Sequence, residues 1–187
     1  MSLILAVPPE YHEFHEKDSL AKVGFTHIER YLKTLPNIIS VHDVQADPKY
    51  QEMDIDGIAM IKENGGSWER TFEVKVDTHY DSTPNYFFET ISNSNTCSEG
   101  CFLKSKAQYF FYYFLKKEIH IFKLKEAQEW LKANGNNYNV AKAKNRYYYS
   151  EGLLVNRADF IRDNNVKIVD VRDGKLISGD DNAKKIA

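Results

Sequence analysis

Apolar positions recur at helical spacing from Leu20 through Val23, Ile28, Tyr31 and Leu32 to Leu35, and Pro36 ends the run. Ser19 can cap this helix, with Asp18 adding negative charge near its start and the polar, aromatic stretch 8–18 leading in. The pattern then changes period. Residues 38–44 suit a short strand, 45–52 a loop, and 54–62 a second strand placing Asp54, Asp56, Ile58 and Met60 on one side. Asn64-Gly65 marks a hairpin turn, with 68–76 as the return strand. On that strand Trp68, Arg70, Phe72, Val74 and Val76 share one face, and Glu69, Thr71, Glu73 and Lys75 the other. Further on, 86–92 reads as a strand, 104–115 as a helix packed on the sheet through Ala107, Phe110, Phe111 and Phe114, 118–124 as a strand and 125–133 as a short helix ended by Asn134-Gly135. The tail after residue 165 has room for a small strand or hairpin before a polar end.

This order predicts one α/β domain over residues 1–187, a mixed central sheet flanked by helices, with a core at 19–124 and a C-terminal extension at 125–187. Charge narrows the function only a little. The 25 basic and 27 acidic residues give a net charge of −2, so any attraction to nucleic acid must come from a local surface. Aromatic content stands out, with 12 Tyr and 11 Phe, more than enough to supply both a core and an interface. The cysteines Cys97 and Cys101 form a lone C-x-x-x-C. Zinc would need two more donors, His79 and His120 being the obvious ones, and free thiols are the preferred reading. The N-terminus carries no basic region followed by a long apolar run, and no segment reaches membrane-spanning length, so a cytoplasmic protein without membrane contact is expected.

The sequence patterns that carry chemistry are on the hairpin. Glu73 and Lys75, two apart on a strand, point the same way, and Asp56 lies on the paired strand, able to approach Glu73 where the two diverge. Two ionised carboxylates a few ångströms apart repel, and a divalent cation removes that cost. Oxygen donors suit Mg²⁺ or Mn²⁺, with the main-chain carbonyl of Val74 as a further ligand. Lys75 is then placed to orient or deprotonate water and to offset charge on a phosphate.

Asp56 followed by Glu73-Val74-Lys75, on a helix, hairpin, strand, helix, strand order, resembles the PD-(D/E)xK, or restriction-endonuclease-like, nuclease superfamily over roughly residues 19–124. The resemblance implies a restriction-endonuclease-like core and metal-dependent hydrolysis of a nucleic-acid phosphodiester. It implies that Asp56 and Glu73 hold metal while Lys75 acts at water and phosphate. The chain departs from the family pattern in having Ile55, not proline, before the aspartate, and Asp54 competes for the ligand role. Asp56 is preferred because it leads directly into Gly57-Ile58-Ala59, where Gly57 allows a bend or close approach. Some relatives add an acid from the first helix, for which Glu29 fits best and Glu16 second. Glu89, inside the strand 86–92, is a further candidate.

Two basic clusters are candidate substrate contacts. Lys104, Lys106 and Gln108 lie at the predicted helix start, where free backbone N–H groups suit phosphate. Lys142, Lys144 and Arg146 precede three tyrosines that could stack on splayed bases, although alternating tyrosines that pack the fold are the preferred reading of those rings. No Walker loop, dinucleotide fingerprint, H-E-x-x-H or G-x-S-x-G motif is present. The expected function is a Mg²⁺- or Mn²⁺-dependent DNA endonuclease of restriction, phage-associated or junction-processing type, the last normally a homodimer. The alternative is a non-catalytic nucleic-acid-binding or protein-assembly domain that keeps the nuclease-like fold.

Overall fold

The computed structural model describes the backbone of residues 9–173 and the side chains of residues 20–173. In chain order the elements are α1 (Pro9–Lys33), β1 (Ile38–Asp43), α2 (Pro48–Glu52), β2 (Gly57–Glu63), β3 (Gly66–Asp77), β4 (Asn85–Asn93), β5 (Ser98–Glu99) and α3 (Cys101–Lys104). They are followed by β6 (Tyr109–Phe114), β7 (Glu118–Lys123), α4 (Leu124–Asn134), β8 (Val140–Lys144), β9 (Tyr149–Asn156), α5 (Arg157–Asp163) and β10 (Lys167–Asp170).

Six strands form a mixed central sheet in the order β1-β2-β3-β6-β7-β10. Its neighbours are antiparallel except β3 and β6, which run parallel from Phe72↔Tyr109 to Asp77↔Phe114. A parallel pair needs a crossover, and here the crossover contains β4, β5 and α3. β4 and β5 join β9 and β8 in a second sheet, ordered β5-β4-β9-β8.

The predicted hairpin forms where expected. Glu63 pairs with Gly66, and Asn64 and Gly65 take positive φ values of 51° and 78°, the conformation a two-residue hairpin turn demands. The predicted faces of β3 also hold. Phe72, Val74 and Val76 turn toward α1 and pack with Phe25, Ile28, Tyr31 and Leu32, while Glu73 and Lys75 turn to the opposite face.

Several expectations need correction. The first helix runs from Pro9, so Asp18 and Ser19 lie inside it rather than at its start; on its apolar face Phe25 is buried, whereas Val23 is exposed. The predicted loop 45–52 contains α2, capped by the Asp47 side chain accepting from the Lys49 N–H, with Pro48 in the first turn. The predicted helix 104–115 is instead a single turn, α3, followed by strand β6 at the centre of the main sheet. β6 is buried on both faces: Phe111 and Tyr113 meet the α1 side, and Phe110, Tyr112 and Phe114 meet Tyr86, Phe88, Phe102, Phe122 and Phe160 on the other. Helices α4 and α5 close that second core through Leu124, Ala127, Leu131 and Phe160.

Candidate active site

Antiparallel pairing of β2 with β3 stops at Gly57↔Phe72, so β3 runs on alone at that edge through Glu73, Lys75 and Asp77. Asp56 sits at the fork. Its backbone N–H donates to the Phe72 carbonyl (3.0 Å), and its Oδ2 accepts from the Val74 N–H (2.8 Å). Within a strand, the N–H and C=O of one residue point to the same edge. The Val74 carbonyl therefore faces the edge that β2 has left. Gly57 makes the fork possible: a Cβ there would lie 2.2–2.7 Å from the Phe72 ring atoms.

The Asp56 and Glu73 carboxyls are close enough that each acts on the other's proton affinity. Burial pushes Asp56 up to about 6, against the pull of the Val74 N–H, and the Asp54 and Asp43 charges add to the rise. Glu73 is 8% exposed, and burial followed by the Asp56 charge holds its carboxyl well above the ordinary range. Lys75 is half-buried, with its Nζ 6.0 Å from the centre of the Phe87 ring. Burial works against its charge, while Cys101, then Glu89, Asp77 and Glu73 act the other way, and the net direction is upward. The pair of acids is thus poorly neutralised, whereas the ammonium beside it is well supported.

These groups line a cleft of about 940 Å³ between the extended end of β3 and the outer face of the second sheet. Along β4, Tyr86 and Phe88 enter the core, whereas Phe87 and Glu89 face the cleft. β8 borders the opposite wall, but the predicted contact Lys142 is paired with Glu151 at 2.8 Å, and Lys142 and Lys144 share the face of Glu151 and Tyr149 rather than that of Ala141 and Ala143, which turn to the cleft. His79 also lines the cleft, with its Nδ1 3.3 Å from Asp77.

The other predicted residues are placed differently. Asp54 has a positive φ of 53°, pairs with Lys104 at 3.0 Å and does not line the cleft. Lys104 ends α3 and Lys106 follows it, so neither stands at a helix start. Gln108 is tied to Thr71, its Oε1 accepting from the Thr71 N–H (3.2 Å). Glu29 pairs with Lys33 at 2.7 Å, while the cleft wall from α1 is Leu20 and Ala21. The Glu16 side chain lies outside the described residues. Arg146 lies over the Tyr147 ring at 4.6 Å rather than in the cleft wall.

Two cleft residues escaped the sequence reading. Asp77 continues the Glu73, Lys75 period, and its Oδ2 accepts from Tyr112 Oη (2.6 Å) while Tyr112 Oη accepts from the Phe87 N–H (3.0 Å). Tyr112 thereby joins the two sheets beneath Lys75, its neighbour in register. Cys101 also faces the cleft, and burial pushes its thiol up, so it stands neutral beside Lys75. Both cysteines are free, and the alternative zinc donor His120 is buried between Tyr86 Oη (2.5 Å) and Glu118 Oε2 (2.8 Å).

Among the described residues no group of three or more His, Cys, Asp or Glu side chains is gathered to hold a metal ion. No described helix is long and apolar enough to cross a membrane. Comparisons with protein-family models, with curated proteins and with solved structures return no match.

Proposed function

We propose that the protein is a metal-dependent endonuclease that hydrolyses phosphodiester bonds in DNA. The observation carrying this reading is the meeting of half-buried Asp56 and buried Glu73, both raised toward protonation, beside the Lys75 ammonium in an open cleft. The topology supports it: the antiparallel β1-β2-β3 group, with α1 on one face and β6 parallel to β3, agrees with a restriction-endonuclease-like core.

The donor set fits a hard divalent cation. Asp56, Glu73 and the Val74 carbonyl offer only oxygen, and the two carboxyls carry an electrostatic cost that such a cation relieves. When bound, Mg²⁺ or Mn²⁺ would supply charge neutralisation and an acidified water. This chain's own groups do the rest. Lys75 stays an ammonium near neutral pH, so it donates to water or to a phosphate oxygen and offsets developing charge instead of removing a proton. Glu89 and Asp77 hold that charge in place. Lys144, at the rim of the cleft, offers positive charge to a phosphate backbone, while Lys142 is paired with Glu151 at 2.8 Å.

The test is cleavage of labelled duplex, single-stranded and branched DNA in Mg²⁺, Mn²⁺ and EDTA. Cleavage is expected only with metal, and Glu73→Gln and Lys75→Met should each lower it by about 100-fold or more. Wild type and variants that behave alike, or no cleavage of any substrate, would favour a nucleic-acid-binding or assembly domain instead.

A further inference from the structure

The β8–β9 hairpin carries more than positive charge. Its tip runs Lys144-Asn145-Arg146-Tyr147-Tyr148-Tyr149. Tyr148 turns into the cleft, whereas Tyr147 and Tyr149 are 70% and 46% exposed and belong to neither core. Large exposed rings contribute little to the fold that carries them.

The tip is held in position. The Asn145 N–H donates to the Tyr148 carbonyl (2.9 Å), Asn95 Nδ2 to the Tyr147 carbonyl (3.1 Å) and the Ser94 N–H to the Tyr149 carbonyl (2.9 Å). The Tyr149 N–H donates back to Ser94 Oγ (3.0 Å). The rings are therefore presented from a braced backbone. The Arg146 guanidinium lies over the Tyr147 ring at 4.6 Å, and Lys144 pairs in register with Tyr149.

We infer that this arm binds an unpaired stretch of nucleic acid, with Tyr147 and Tyr149 stacking on bases and Lys144, on the Tyr149 face of the hairpin, meeting a phosphate. The inference rests on the reading of the cleft as a phosphodiesterase site and narrows its substrate to strands with unpaired bases. Charge and position support it: Lys144 stands beside Tyr149 on one face of the hairpin, whereas Lys142 is already paired with Glu151 at 2.8 Å, and Asn145 and Tyr148 of the same tip line the cleft that holds Asp56, Glu73 and Lys75. In an intact duplex the base faces are already stacked inside the helix, and a tyrosine ring finds nothing flat to cover. Unpaired bases offer both their faces and a flexible backbone that can bend into the cleft.

The experiment measures binding without cleavage. Fluorescence anisotropy in EDTA would compare labelled oligo(dT) and oligo(U) of about 16 nucleotides with a blunt duplex of equal length. Wild type should bind one or both single strands at least about ten-fold tighter than the duplex, and the pair of strands shows which sugar the arm accepts. The double variant Tyr147→Ala/Tyr149→Ala should lose about ten-fold or more on single strands and less than about two-fold on duplex. Tyr147→Phe/Tyr149→Phe should bind as wild type, because the ring rather than the hydroxyl stacks. Both residues are exposed, so all variants should melt with the wild type. Wild type without a single-strand preference, or an alanine variant that loses equally on both substrates or on neither, would overturn the inference. Preference without cleavage in any metal would sink the endonuclease reading and leave the arm's role standing.

Discussion

At the scale of single residues, Asp56 and Glu73 make opposite demands on stability and chemistry. Asp56 releases its proton near 3.8 in an unfolded chain but holds it to about 6 in the fold. The folded state therefore binds more protons between those values, and the stability this brings is lost as pH rises through about 6. Glu73 shifts in the same direction. Without divalent metal, Asp56→Asn or Glu73→Gln should thus match or exceed wild-type stability at pH 7.5, by on the order of 1–3 kcal/mol, and lose that advantage at about pH 4.5. Thermal melts at the two pH values in EDTA check this. Wild type that outlasts both variants at the higher pH would contradict it. Lys75→Met should behave in reverse, destabilising by about 2–4 kcal/mol at pH 7.5 and less at about pH 4.5, where the raised Glu73 beside it is protonated. The same melts decide that case. Glu73 and Lys75 were legible because strand alternation fixes a shared direction for residues two apart. Asp77 obeys the same rule but lies one residue beyond the strand 68–76 that the pattern predicts, because the apolar alternation stops at Val76. The position of Glu29 was not legible, since spacing along a helix does not say which turn comes near a strand edge.

At the scale of elements, the hairpin and the strand behind it show where sequence reading succeeds and fails. The β2–β3 turn was readable because Asn64-Gly65 accepts the positive φ that the turn imposes. β6 was not, because Tyr109–Phe114 contains no polar position to betray a period of two. A strand covered on both faces reads as a continuous apolar run, and such a run of this length is ambiguous between strand and helix. The fork that places Asp56 depends on the ring of Phe72 lying where Gly57 has no Cβ. Gly57→Ala should therefore cost about 1–3 kcal/mol in urea unfolding through overpacking. Adding Phe72→Leu should recover part of the loss, so that the double variant is more stable than the two single costs summed. Strict additivity of the two changes would show that the clash does not govern this site.

At the scale of the whole molecule, the main sheet separates two cores, and the second core determines what the C-terminal part of the chain is for. A nuclease-like core at 19–124 with an added extension was a natural reading of the element order. The structure distributes the burial differently. β4, inside that presumed core, pairs along its length with β9, from the extension, and Tyr86 meets Val155 in register. Val155, Phe160 and Val169 are fully buried. The pairing was invisible in sequence because the partners are far apart and neither strand's pattern names the other. It also bears on the site: Glu89 and Phe87 lie on β4, so β9 braces the wall that faces Lys75. A chain ended after Asn134 would leave one edge of β4 unpaired and expose the Tyr86–Phe88 face, a surface prone to aggregation. It should lose near-ultraviolet circular dichroism, bind a hydrophobic dye such as ANS and unfold without a cooperative transition, while the full chain unfolds cooperatively. If the shortened chain instead melts in one sharp transition, residues 135–187 are an appendage to a self-sufficient core. If it does not, the cleft and its basic arm are products of one folding unit, and the acids on β3 owe part of their opposite wall to β8 and β9.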